Sequence, residues 1–264
     1  MALPSGAKSQ SRRYPVRLAG LGRLWLAQLV RAPSDPRHQA AARRMWRQQA
    51  FLLALGAIAV VALMVGFDAT EIGWMPPRGT PSLWPVRILT DSGKDLYVLC
   101  TLGVLLLVVA LMVPLARTAA RQRLLRLGTA LQYLFLAVAV PVAVAEVIKW
   151  AVGRGRPFVG GKADAFNFAP FNGTEAYFSL PSAHAVTAAA LAVGVAAIWP
   201  RTSVAMALYA LAILLTRLVL LAHHPSDVVA GAVIGAVGAL LLRYWFAARR
   251  LGFVIDPQGK IGPA

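Results

Sequence analysis

The chain has 264 residues, 58% of them hydrophobic and only 14% charged, and Lys plus Arg outnumber Asp plus Glu by 27 to 10. Soluble domains carry about a quarter charged residues, so this composition excludes an ordinary soluble domain. The single cysteine, Cys100, excludes an internal disulfide and a thiolate metal cluster; it sits in an apolar run and reads as a small buried hydrophobe.

Residues 1–47 are rich in Arg and Ala and hold one acid, Asp35. Arg23 interrupts their only apolar run, and no short apolar stretch precedes a small-residue cleavage site, which argues against a cleaved signal peptide. Residues 16–31 read either as an amphipathic helix lying on a membrane surface or as a disordered basic tail.

Six apolar segments follow, at residues 51–67, 96–115, 127–145 (continuing to 152), 185–199, 202–222 and 228–242. A spanning helix needs about 20 residues, with about 17 as the lower limit. The first three meet this by themselves and the last three need their flanks. Barrel strands alternate apolar and polar residues; these runs do not, so they are predicted to be helices. A cytoplasmic N-terminus puts 19 of the 27 basic residues on the cytoplasmic side, in residues 1–47, the 117–126 loop, Arg201 and the C-terminal end. That asymmetry sets orientation. The net charge of +17 is therefore a topology signal, with attraction to anionic headgroups second, and no nucleic-acid partner is expected.

With that orientation Lys149, Arg156, His184, Arg217, His223 and Asp227 all fall at the outer face, in three chain segments. Gly153, Gly155 and Pro157 disfavour continuation of the third helix. Pro181 in "LPSAH" and Pro225 in "HHPSD" suit the first position of a helix. Helix N-termini bind phosphate through free N–H groups and a partial positive charge, and Lys149, Arg156 and Arg217 add cations that would repel one another without an anion. His223 and Asp227 are four residues apart, about one helical turn, so the carboxylate is placed to accept one ring N–H and leave the other nitrogen for phosphate. His184 offers a second imidazole for proton transfer.

These residues resemble the type 2 phosphatidic acid phosphatase family, which shares its site with vanadium haloperoxidases. Lys149 and Arg156–Pro157 keep the family's first spacing, "PSAH" (Pro181 to His184) stands for its second motif, and Thr216–Arg217 with His223 and Asp227 keep its third. The match covers residues 149–231. It implies an all-α polytopic membrane bundle of six transmembrane helices: a basic cytoplasmic segment (1–47), a membrane domain (48–248) and a cytoplasmic tail (249–264). It also implies metal-free, cofactor-free phosphoester hydrolysis. His223 is the nucleophile, Asp227 its orienting partner and His184 the proton donor, while Lys149, Arg156, Ser182, Ala183 and Arg217 bind phosphate. Two positions depart from the pattern: Thr216 replaces serine and keeps the hydroxyl, and Ala183 replaces glycine and adds a methyl beside a backbone N–H that should approach phosphate.

The expected protein is a lipid phosphate phosphatase of the inner membrane, with cytoplasmic termini and a periplasmic site. In a bacterium its candidate substrates are undecaprenyl diphosphate, phosphatidylglycerol phosphate, phosphatidate and phosphorylated lipid A. A phosphotransferase of the same family and a non-catalytic lipid-phosphate-binding protein are the alternatives; membrane lipids are the other partners, and oligomeric state stays open. Glu146 is expected to pair with Lys149 along the helix. His224 is expected to be structural, and "GAVIGAVG" (residues 231–238) to pack helices closely within the bundle or between copies. The aromatics of residues 158–180 either form a lid or seat the loop.

Overall fold

The computed structural model describes residues 5–157, 159–161 and 163–264, with side chains from Tyr14 onward. Among the described residues nine α-helices run in order: α1 (Ser5–Val30), α2 (His38–Gly66), α3 (Asp68–Trp74), α4 (Trp84–Asp91), α5 (Asp95–Met112), α6 (Thr118–Val152), α7 (Ala183–Ile198), α8 (Ser203–Val219) and α9 (Pro225–Ala248). Strands β1 (Phe253–Ile255) and β2 (Ile261–Pro263) close the chain as an antiparallel hairpin.

Among the described residues five stretches are long and apolar enough to cross a membrane: α2, Pro81–Met112 (holding α4 and α5), α6, Pro200–Val219 (holding α8) and α9. The sixth expected span, α7, has only 16 residues. At about 1.5 Å per residue it is ~24 Å long, short of a ~30 Å hydrocarbon core. Its surroundings explain this. It packs against α6, α8 and α9, and ten of its sixteen residues are buried, so neighbouring helices rather than lipid enclose it.

Small residues set the spacing of that centre. A Cβ on Gly231 would lie 2.5 Å from the Ser182 carbonyl oxygen, and one on Gly235 2.2 Å from that of Val186. The small-residue run of α9 therefore presses against the backbone of α7 within one chain. Around this contact Tyr133, Ala137, Val138, Ala145, Ala190 and Phe246 form the core. Outward faces stay apolar, as at Val61, Val65, Val104 and Leu208. Cys100 lies on such a face and is exposed, unlike the buried position its apolar run suggested.

The end of the bundle opposite the polar residues is closed by the two chain termini. In α1, Leu21 and Trp25 are buried, and the Tyr14 hydroxyl donates to the Leu111 carbonyl (2.8 Å). The Trp245 indole donates to the Leu29 carbonyl (3.0 Å). Residues 249–264 are not a loose tail. Phe253 packs edge-to-face on Tyr133 at 4.9 Å, and Arg37 donates to the Ile255 carbonyl (2.9 Å).

Gly235→Leu is expected to overpack the α7–α9 contact, costing about 1–3 kcal/mol or more. Its thermal midpoint in detergent should fall well below that of Val204→Leu, a change on the exposed face. Equal midpoints would contradict the close-approach account.

Candidate active site

Four helix ends and two connecting segments build the site. Lys149 lies in the last turn of α6, buried at 7% exposure, and its Nζ is 2.5 Å from Glu146 Oε1, the expected pair. Gly153 then caps α6 at φ 57°. A Cβ there would fall 1.9 Å from the Ala169 carbonyl oxygen, so only glycine fits both the left-handed turn and the returning chain. The reversal puts Arg154 and Arg156 back over the bundle end. The Arg156 N–H donates to the Ala176 carbonyl (2.8 Å).

Ser182 is the N-cap of α7. Pro181 therefore sits before the helix rather than at its first position, while Pro225 does open α9. Ala183 opens α7 as a regular helical residue, so the methyl that replaces the expected glycine hydrogen is accommodated. His184 follows in the same turn. Arg217 lies in the last turn of α8, and the turn 220–224 carries His223 back to α9, where Asp227 sits in the first turn. Both α7 and α9 thus direct their N-termini, with their partial positive charge, at the same end of the bundle.

Hydrogen bonds tie the three predicted segments together. The Ser182 N–H donates to the Asp227 carbonyl (3.0 Å) and the Ser179 N–H to the Arg154 carbonyl (3.1 Å). His223 Nδ1 bonds the Ser179 carbonyl oxygen at 2.8 Å. Asp227 Oδ2 is 3.9 Å from that nitrogen, beyond hydrogen-bond reach. The expected carboxylate–imidazole bond is thus replaced by a backbone acceptor. Asp227 is engaged elsewhere, accepting from Ser179 Oγ (2.5 Å), the His224 N–H (2.9 Å) and Arg154 Nη1 (2.6 Å).

His223 is 3% exposed. Burial, and then the charges of Arg217, Arg156, Lys149 and His184, hold its pKa well below the ordinary imidazole value. Burial first, and these charges after it, favour the neutral ring. Burial likewise lowers the pKa of Arg156, followed by the neighbouring cation Arg78. Ser182 Oγ, Arg156 Nε and Arg217 Nε are buried and have no protein partner among the described residues. Three donors around one neutral imidazole suit an anionic ligand with several oxygens.

Sequence reasoning missed the scaffold beneath these groups. Arg154 is fully buried and uses every nitrogen. Its Nε and Nη2 donate to the Ala165 carbonyl (3.1 and 2.7 Å), Nη1 to Ser226 Oγ (2.6 Å) as well as Asp227, and Nη2 to Asp68 Oδ2 (2.8 Å). Asp68, also fully buried, opens α3 and accepts the Ser226 N–H (3.0 Å). Thr90 was missed as well; its hydroxyl accepts from Arg217 Nη1 at 2.9 Å. An acid directly after an apolar span, as at Asp68, was a readable signal that a cation must meet it. Of the loop aromatics, Phe171 packs on Trp150 (4.7 Å) and Phe168 lies beneath the Arg154 guanidinium (6.0 Å). These two seat the loop; Phe158 lies outside the described residues.

Arg154→Met would leave Asp68 and Asp227 as buried, uncompensated carboxylates, a loss of about 3–5 kcal/mol. Its thermal midpoint in detergent should drop sharply, and Asp68→Asn should recover part of the loss in the double variant. Strictly additive losses would contradict the ion-pair account.

Residues 130–251 match the PAP2 superfamily, from the middle of α6 to just past α9, a span that holds every predicted site residue. The lipid A 1-phosphatase of Rhizobium johnstonii is 39% identical over 127 residues, 48% of this chain and 52% of that protein. That of Rhizobium etli is 30% identical over 213 residues, 80% of this chain and 90% of that protein. The first alignment thus spans about half of its relative and the second nearly all. No solved structure gives a significant match. Agreement between the gathered motifs and this near full-length similarity places the chain in the PAP2 superfamily, as a membrane phosphatase acting on phosphoric esters.

Proposed function

We propose that the protein removes a phosphate group from a lipid at the extracytoplasmic face of the inner membrane, through a phosphohistidine and without a metal ion. The observation that carries this reading is the buried His223 ring, bonded at Nδ1 to the Ser179 carbonyl, together with Ser182, Arg156 and Arg217 donors that no protein group among the described residues occupies.

A proton on Nδ1, donated to that carbonyl, leaves the lone pair on Nε2. Nε2 attacks phosphorus, the P–N bond forms and the bond to the lipid oxygen breaks. His184, which takes up a proton from solvent once the phosphate's negative charge offsets the neighbouring cations, gives that proton to the leaving oxygen. Water then attacks the phosphohistidine, His184 takes a proton from it, and orthophosphate leaves with the imidazole restored. Lys149, Arg156, Arg217, Ser182 and the N–H of Ala183 stabilise the charge spread over the phosphoryl oxygens. The fixed cations supply the charge stabilisation that a metal provides elsewhere. Asp227 acts through Ser179 and the start of α9, holding the imidazole's acceptor in place.

The distribution of charge supports this sidedness. The end opposite the site carries the arginines of α1, the 117–126 loop and the C-terminal segment, and positive charge favours the cytoplasm. Both relatives are named for lipid A, so a phosphorylated lipid A is the leading substrate.

Purified protein in detergent with EDTA is expected to release phosphate from at least one of lipid A bisphosphate, undecaprenyl diphosphate, phosphatidylglycerol phosphate and phosphatidate, lipid A fastest. His223→Ala should lower the rate by about a thousandfold or more, as loss of a nucleophile does. Wild-type protein quenched during turnover should carry acid-labile, base-stable phosphate. Turnover abolished by EDTA would sink the metal-free mechanism, and a His223→Ala protein at full rate would remove the nucleophile. Lipid binding without any phosphate release would favour a non-catalytic role.

A further inference from the structure

The end of the bundle opposite the catalytic residues holds a second group of cations. Arg243 lies far along α9 from Asp227, near the other end of that helix. With Arg44 of α2 and Lys260 of the hairpin turn it lines one cavity of about 160 Å³, together with Gln48 and Gln49. Three elements close on this space. A Cβ on Gly259, where φ is 74°, would lie 3.0 Å from the Ala40 carbonyl oxygen, so the hairpin turn rests on the first residues of α2. Arg243 Nη2 donates to the Ile261 carbonyl and ties the hairpin to α9. Met45 and Leu240 supply apolar wall.

The polar groups of this cavity are not satisfied from within. No acid is on its lining. Among the described residues Arg44, Arg243 and Lys260 form no ion pair, and Arg243 Nε is buried without a partner. The hairpin's own acid, Asp256, is off the lining, and its Oδ1 accepts the Lys260 N–H at 2.7 Å. Gln49 is 1% exposed, and its Oε1 has no hydrogen-bond partner among the described residues. Unpaired cations around one space repel one another, and a buried amide oxygen without a donor is costly. An anion that also carries a hydroxyl resolves both.

Position selects the source of that anion. Gln49 comes two residues before Phe51, where the apolar, outward-facing run of α2 begins with an exposed ring. Trp46 and Trp245 are exposed in the same stretches of α2 and α9, and tryptophan favours the membrane interface. Arg43 and Arg47 join Arg44 and Gln48 around an adjoining recess and extend the positive charge. Basic pockets between membrane helices at this level take anionic headgroups.

We propose that this cavity is a second anion site, which binds the phosphate of an anionic membrane lipid with a headgroup hydroxyl. Arg44, Arg243 and Lys260 hold the phosphate oxygens, and the hydroxyl donates to Gln49 Oε1. The volume equals about five waters at ~30 Å³ each. It admits a phosphate with a short polyol arm and leaves the acyl chains outside, along α2. A drug-sized ligand needs a cleft of about 300–1,000 Å³. None of these residues takes part in the hydrolysis proposed above. The bound lipid joins α2, α9 and the hairpin, so its occupancy stabilises the fold.

Phosphatidylglycerol is the probe: an anionic phosphodiester with headgroup hydroxyls and no phosphomonoester to remove. Added to the purified protein in detergent, it should raise the thermal midpoint by about 5 °C or more once well above its dissociation constant. Phosphatidylmethanol, anionic but without the hydroxyl, should give a smaller shift. Arg44→Gln with Lys260→Gln, both at exposed positions, should lose at least half of the phosphatidylglycerol shift. Arg17→Gln with Arg23→Gln removes the same charge from exposed positions of α1 and should keep it. Orthophosphate, which reaches the catalytic residues, should shift the wild type and the Arg44→Gln, Lys260→Gln protein equally. A full phosphatidylglycerol shift in that protein overturns the site. An equal loss in the α1 variant reduces it to general attraction of charge and overturns it too. An equal shift from phosphatidylmethanol overturns the role of Gln49. Loss of the orthophosphate shift alone assigns the cavity to free phosphate and overturns the lipid.

Discussion

One guanidinium, that of Arg154, joins three parts of the chain that are far apart in sequence. It meets Asp68 at the start of α3 and Asp227 in the first turn of α9, and its own backbone carbonyl holds Ser179 just before α7. Removing three charges from water is costly, and a buried pair repays that cost only when its remaining donors and acceptors are also bonded. Here every guanidinium nitrogen has an acceptor, and both carboxylates take further donors from Ser226, Ser179 and the His224 backbone. The network is worth more as a unit than as separate pairs, and it fixes where α9 begins. His223, one turn earlier, inherits its position.

A second constraint is electrostatic. Lys149, Arg156 and Arg217 converge on a buried imidazole with no acid directly bonded to it. The acid nearest His223 is already neutralised by Arg154, so the cations keep their full pull on an incoming anion. Burial and the same cations oppose protonation of the ring, which in the proposed mechanism preserves the form that attacks phosphorus. On that proposal, charge that would be a liability in an empty bundle becomes preorganisation for phosphate.

Helix packing completes the arrangement. Because α9 meets α7 through Gly231 and Gly235, the first turns of both helices lie side by side and the Ser182 N–H reaches the Asp227 carbonyl. A shorter, alanine-rich α7 is tolerable since its neighbours cover it. Its start is then set by the site, not by the depth of a headgroup layer.

Much of this was legible in the chain itself. Apolar runs long enough to span, the bias of Arg and Lys, and the spacing of Lys149, Arg156, Ser182, His184, Arg217, His223 and Asp227 are local properties, and they indicated the fold class and the candidate site. Tertiary structure alone decided the rest. Periodicity and spacing do not report what a side chain meets far along the chain. So they could not show that Arg154 rather than Arg156 is the fully buried arginine, that Asp68 is its partner, or that the Ser179 carbonyl takes the bond expected of Asp227. Nor could they show that residues 253–263 fold into a docked hairpin, since its contacts with Tyr133 and Arg37 exist only once the bundle has formed. Desolvation and long-range pairing are properties of the assembled helices, which a linear pattern does not contain.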